Sequence, residues 1–328
     1  MTRNRVRVLQ WAIGGLLVAL FFVWVDTSEL VRLGRPYVPG LAGVLLCSAG
    51  LVWSAALRWR MLAAGTAGGG RTPLARYMRH FLLGRVLGFV LPAEATDVGV
   101  RAVALRRSER LSLAGAAYTV IVDRLLDLVL ILWLMVPALL HLAGTLDRGP
   151  AILMGVLGIL GTPCLVGRRH GRVLAGLARL YARMVRLLRR VPGLGAVHVP
   201  ELDGRSGALR NGVAVRVYAL SVVKLAMVIA RFYFVAMAVR VPVTPALALV
   251  AVPLAQAAAL AAVTPGGLGI LEAGWYGILV WAGVPSEETV LLVVGWRLYT
   301  LLSLVCLLVG LRLWEAMAGA RVCARRDA

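Results

Sequence analysis

The chain has 328 residues, 60% of them hydrophobic, and a mean hydropathy of +0.85, which excludes an ordinary soluble domain of this size. A formal net charge of +21 would suggest nucleic acid in a soluble protein, but here the arginines fall mainly in the loops between long apolar runs, where they orient a membrane protein instead. Cys47, Cys164 and Cys306 sit inside apolar runs and Cys323 near the end, so neither a disulfide framework nor a metal-spacing motif is visible.

The first apolar run, Leu9 to Val25, ends in Phe22-Val23-Trp24-Val25-Asp26, without the small residues of a cleavage site, and is expected to be a retained span. Arg3, Arg5 and Arg7 before it place the N-terminus in the cytoplasm. The second run, Val38 to Leu57, returns the chain there, to a loop carrying Arg58, Arg60, Arg71, Arg76 and Arg79. Further runs follow at Leu125 to Gly144, Ala151 to Gly167, Tyr218 to Val239, Ala246 to Val263, Ile270 to Val284 and Thr289 to Leu311. Most approach the roughly 20 residues that a helix needs to cross a bilayer. The tail, with Arg312, Arg321, Arg325 and Arg326, is again cytoplasmic by charge, giving a multi-pass protein of the cytoplasmic membrane with both termini inside.

The longest polar stretch, 168–212, is too short for an enzyme domain with its own core. Arg172, Arg179, Arg183, Arg186 and Arg190 recur there at helical spacing opposite Leu174, Leu177, Tyr181, Met184 and Leu188. The pattern predicts an amphipathic helix in the inner headgroup layer, or equally a plain positive-inside loop. The chain is therefore read as a single transmembrane domain, 1–328, with this one basic loop.

Two membrane-depth segments are broken by proline, at Pro92 and at Pro265-Gly266-Gly267. Pro92 precedes Arg124 by 32 residues, and Pro265 precedes Arg297 by the same interval. The loop charges make the Arg124 helix run outward and the Arg297 helix inward, the relation of an inverted repeat. The expected fold is an all-α polytopic bundle: six full spans plus two re-entrant elements, or eight spans if 246–284 crosses fully.

Irregular backbone at membrane depth requires cover from protein or water, so each break marks a cavity. At the second break Gly266, Gly267 and Gly269 expose amides ahead of the helix beginning at Ile270, which suits an anion such as a lipid phosphate, while a close helix crossing explains the glycines too. Charges inside the membrane cost at least about 2.5 to 3.5 kcal/mol each, so those present demand a reason. They are Asp97 and Arg101 after the first break; Asp123, Arg124 and Asp127 at the start of the third span; Lys224 and Arg231, seven residues apart on one face; Glu272 after the glycines; and Arg297. Two readings stand: Asp123 and Asp127 neutralise Arg124, Lys224 or Arg231 and lock helices together, or the set lines a path for a charged head group. Catalysis is not expected, because His80, His141, His170 and His198 are scattered and no nucleophile elbow or metal-ligand cluster occurs. No cofactor is expected either.

The order Leu91-Pro92 with Asp97 and Arg101, then Val122-Asp123-Arg124-Leu125-Leu126, then Pro265-Gly266-Gly267-Leu268-Gly269-Ile270-Leu271-Glu272-Ala273, then Arg297-Leu298, resembles the lysylphosphatidylglycerol synthase transmembrane family, the flippase-like part of MprF proteins. The resemblance spans almost the whole chain, and its most specific piece is Pro-Gly-Gly-x-Gly-x-x-Glu. Thr96 stands where the family usually has Gly, and Asp123 where it usually has Glu. The resemblance implies a lipid-translocating domain without the soluble synthase, so aminoacyl transfer is not expected of this polypeptide. The breaks, the intramembrane charges and the resemblance together give the candidate lipid-binding residues Pro92, Asp97, Arg101, Asp123, Arg124, Asp127, Lys224, Arg231, Pro265, Gly266, Gly267, Gly269, Glu272 and Arg297. The expected partners are membrane lipids, an anionic phospholipid or a lipid carrier, rather than nucleic acid. A second copy of the chain and a separately encoded lipid-modifying enzyme are compatible protein partners. A non-transporting scaffold and an integral membrane lipid transferase are the alternative functions.

Overall fold

The structure is a computed structural model that describes residues 33–65, 70–91, 93–109, 113–166, 211–260 and 264–324, together with positions 176 and 183. The expected first span and nearly all of the basic loop lie outside the described residues, as does Pro92. Among the described residues the fold is wholly helical: α1 (Val38–Ala64), α2 (Leu74–Leu87), α3 (Ala93–Ser108), α4 (Leu113–Leu142), α5 (Arg148–Val166), α6 (Asn211–Ala238), α7 (Pro245–Leu260), α8 (Ile270–Trp281) and α9 (Ser286–Ala324). The helices α1, α4, α6 and α9 each contain a stretch long and apolar enough to cross a membrane. Leu139, Leu153, Leu160, Leu302 and Leu313 stand exposed on the outside of the bundle, a surface that water would not tolerate and lipid does.

Small residues set the central helix pair. Gly40 and Gly43 on α1 lie so close to α6 that an added Cβ would meet the Ala238 amide nitrogen at 2.5 Å and the Phe234 ring at 2.2 Å. Backbones approach this closely only where one side has no side chain, the usual device of membrane helix pairs. The pairing is antiparallel: farther along α1, Gly50 faces Met227 and Arg58 reaches Ser221. Ser48 on α1 bonds Ser303 on α9 at 2.8 Å, which ties the last helix to the pair. On the other flank Gly155 and Gly158 of α5 pack under Leu134 and Trp133 of α4.

The four short helices form two hairpins. In the first, Gly84 of α2 faces Asp97 of α3, and at the far end Thr72 and Tyr77 bond Glu109, so the arms run antiparallel with the tip at residues 88–91. In the second, Gly274 of α8 faces Ala258 of α7, which puts the tip between these two helices, where residues 264–269 are described. With 14, 16, 16 and 12 residues, the arms reach about 18 to 24 Å at 1.5 Å per residue, short of the roughly 30 Å hydrocarbon layer. Both elements therefore have re-entrant dimensions.

The hairpins enter from opposite ends of the bundle. Arg79 near the base of the first pairs with Glu315 near the end of α9, whereas Thr244 at the base of the second bonds Arg148 beyond the end of α4. Their tips touch: the Gly266 amide donates to the Leu91 carbonyl at 2.9 Å. The order short helix, tip, short helix, long helix thus occurs twice, in opposite senses, as the paired intervals to Arg124 and Arg297 predicted.

Candidate functional site

The second tip is shaped by glycine. Gly266, Gly267 and Gly269 have φ of 62°, 66° and 78°, a left-handed backbone open to glycine at little cost. At Gly266 a second constraint applies, because a Cβ would lie 2.2 Å from the Phe89 carbonyl oxygen of the first tip. The amides that the sequence left open as an anion site are all engaged. Gly266 donates to Leu91, Gly267 to the Thr264 carbonyl at 2.9 Å, and Gly269 to the Glu272 carboxylate at 2.7 Å. The left-handed backbone accounts for all three glycines and close approach for Gly266, between two tips rather than two crossing helices. Pro265 opens the 3-10 turn, Pro265–Gly267, that carries the contact.

Beside the tips lies a lattice of buried charge. Asp123 and Asp127, one helical turn apart on α4, both grip Arg58 of α1, at 2.5 and 2.7 Å, and Arg58 is fully buried. Arg58 also donates to Ser221 on α6 at 2.8 Å. Asp123 accepts a second arginine, Arg101 of α3, at 2.8 Å. Arg101 in turn reaches Asp97 at 3.4 Å, and Asp97 pairs with Arg124. Asp127 pairs with Lys224 of α6. The Arg101 guanidinium is sandwiched against Trp59, 4.5 Å from its ring centroid. Four helices, α1, α3, α4 and α6, are thereby joined through one chain of ion pairs.

This corrects the sequence reading in two respects. Arg58 is not a cytoplasmic-loop arginine: α1 runs on to Ala64, and Arg58 is the centre of the lattice. The signal was present, since Ser54, Arg58 and Leu62 share a buried helical face and Trp59, Met61 and Leu62 prolong the apolar run. Arg124 is neutralised by Asp97 on the first hairpin, not by the acids of its own helix.

Between lattice and tips is a cavity of about 240 Å3. Arg124, Asp127 and Lys224 form its rim on the lattice side; Gly266, Gly267, Glu272 and Arg297 form the side of the second tip. Arg297 pairs with Glu272 and donates to the Gly266 carbonyl at 2.8 Å, so the last helix holds the second tip in shape. Arg231 and Arg85 also line the cavity. Arg85, one turn before the first tip, is a residue that the sequence reading missed; its place between Gly84 and Gly88 was the available sign. Of the expected site residues, Asp97, Arg101 and Asp123 belong to the buried lattice rather than to the cavity wall. No cluster that could hold a metal ion occurs among the described residues.

The sequence matches the lysylphosphatidylglycerol synthase TM region over residues 10–310. The chain belongs to that family. No curated protein matches it. The family match runs through both hairpins, the ion-pair lattice and the cavity. Within this synthase-TM-region domain, Asp123 makes contacts to both Arg58 and Arg101 despite being the shorter acid.

Proposed function

We propose that this protein moves a lipid head group across the cytoplasmic membrane, in the manner of a flippase. The observation that carries the reading is the meeting of two re-entrant tips, one from each side, at the wall of a charged cavity. A polar head group cannot cross hydrocarbon unaided, because stripping a charge of water costs several kcal/mol or more. A cavity flanked by half-length hairpins shortens the barrier on both sides and offers replacement partners within it. Alternating access fits such repeats, with one hairpin yielding while the other closes.

The cavity has the dimensions for this task. At about 240 Å3 it falls below the roughly 300 to 1,000 Å3 of sites that enclose a drug-sized molecule. It suits a head group, with the acyl chains left in lipid. Its apolar wall, including Leu51, Ile131, Val228 and Leu304, offers those chains a path past the helices. Membrane lipids are the proposed partners, with no catalytic turnover and no cofactor in this role.

The test is translocation by purified protein in liposomes. Fluorescent phosphatidylglycerol in the inner leaflet should become accessible to an external quencher faster than in empty vesicles, and Arg124→Ala and Glu272→Ala should each slow the exchange. Rates equal to empty vesicles for every lipid tried would remove the proposal.

A further inference from the structure

We propose that Arg85, Arg231 and Thr300 form a binding subsite for the phosphate of a lipid head group, distinct from the paired charges around it. This rests on the lipid-handling reading above and specifies which atoms meet the ligand.

The cavity charges fall into two classes. Arg124, Lys224 and Arg297 each have a carboxylate partner, in Asp97, Asp127 and Glu272. Arg85 and Arg231 form no ion pair among the described residues, although the Arg85 charge is felt by Asp97, and the Nε of each is buried without a hydrogen-bond partner. The Thr300 hydroxyl, on the same cavity, is likewise buried without a hydrogen-bond partner. These groups come from the first hairpin, α6 and α9, so no single helix explains their convergence. Arg231 is 7% exposed and Thr300 6%, so water does not meet their needs freely.

Neither arginine is an idle surface charge. The Arg231 guanidinium lies 4.7 Å from the Trp296 ring centroid, and Trp296 packs in turn on Phe232 and Trp275. The Arg85 guanidinium lies 5.3 Å from the Phe81 centroid. Stacking on an aromatic face fixes the plane of a guanidinium and leaves its N–H edge free to donate. Both cations line one cavity, where like charges repel, a cost that an anion between them would reverse. Phosphate oxygens accept paired N–H bonds from Arg and one more from a hydroxyl, which is the donor set present here. The glycine amides are already engaged and Arg124 and Arg297 are neutralised, so the phosphate goes to these three residues.

The experiment measures binding to full-length protein in detergent by titration, with dihexanoyl-phosphatidylglycerol as the probe. Dihexanoylglycerol, which lacks the phosphate, and inorganic phosphate, which lacks the chains, are the controls. The site predicts saturable binding of the phospholipid, none of the diacylglycerol and weaker binding of free phosphate. Arg85→Gln and Arg231→Gln should each weaken binding about tenfold or more, the scale of a lost charge-assisted bond. Arg231→Lys should recover part of it. Equal affinity for phospholipid and diacylglycerol in the wild-type protein would overturn the site without recourse to any variant. Free phosphate binding as tightly as the lipid would overturn its assignment to a lipid. Translocation in liposomes without phosphate selectivity overturns the site and spares the proposed function; selective binding without translocation supports the site and removes the function.

Discussion

Gly266 and Leu91 lie 175 residues apart in sequence and share a backbone hydrogen bond of 2.9 Å at the meeting point of two hairpins from opposite sides. That bond joins the two tips, and the cavity opens beside it.

Gly266→Ala should pry the tips apart. The substitution meets a positive φ of 62° and a carbonyl oxygen 2.2 Å from the new Cβ. The backbone conformation alone costs about 1 to 3 kcal/mol, and the clash with main chain adds to it. A lower melting temperature in detergent is expected, with lipid exchange in liposomes reduced more than the melting shift accounts for. Wild-type values for both would mean that the tips need not touch.

Arg58→Leu should be among the most damaging single changes in the protein. It leaves Asp123 and Asp127 facing one another on α4 with one cation fewer. Removing one partner from a buried ion-pair set costs about 3 to 5 kcal/mol. Replacing Asp123 and Asp127 by Asn as well should not rescue the fold, because it strands Arg101 and Lys224; a double-mutant cycle of Arg58→Leu with Asp127→Asn in thermal unfolding would measure the coupling.

The base of the first hairpin is expected to loosen in acid. Burial disfavours a charge on Glu109, but donation from Thr72, Tyr77 and the Arg71 amide overcomes it and holds the carboxyl below the usual carboxylate range. A depressed pKa in the folded state stabilises above the unfolded value of about 4.3 and is lost as pH falls through the folded value. Amide exchange at Arg71 and Thr72 should therefore accelerate below about pH 4. In Glu109→Gln that exchange should already be fast at neutral pH and change little on acidification.

The sidedness proposed from the loop arginines can be tested at the two ends that the base contacts define. A single cysteine replacing Glu287, in the first turn of α9, should react with an impermeant maleimide from outside intact cells. One replacing Glu315, beside Arg79, should react only after permeabilisation. The native cysteines are removed first. The opposite pattern would invert the orientation inferred from loop arginines.

Much of the architecture was legible because membranes impose simple demands. Apolar length revealed the long helices, proline and glycine marked the tips, and the equal intervals to Arg124 and Arg297 pointed to the repeated order. What sequence could not supply was partnership. Asp123 and Asp127 are plainly on one face of α4, yet nothing local says that they close on Arg58 from α1 while Arg124 turns to Asp97. Such choices depend on which helices cross at which depth. Arg58 and Arg85 escaped notice for a related reason: each adjoins a loop or break, where arginine is ordinarily a topology signal. Depth became visible only once α1 was seen to continue past Arg58 and the first tip to fold back beyond Arg85.

The lattice around Arg58 also dictates an order of events during synthesis. Arg58 emerges from the ribosome well before Asp123 and Asp127, so α1 must enter the membrane with its guanidinium unmatched, at a penalty of about 2.5 to 3.5 kcal/mol if held near the centre. Snorkelling toward the nearer membrane interface relieves that penalty while the helix waits. Only when α4 arrives can Arg58 withdraw to its final depth, and only when α6 follows does Lys224 balance Asp127. The charges that fasten the finished bundle therefore find their partners only as the later helices are made.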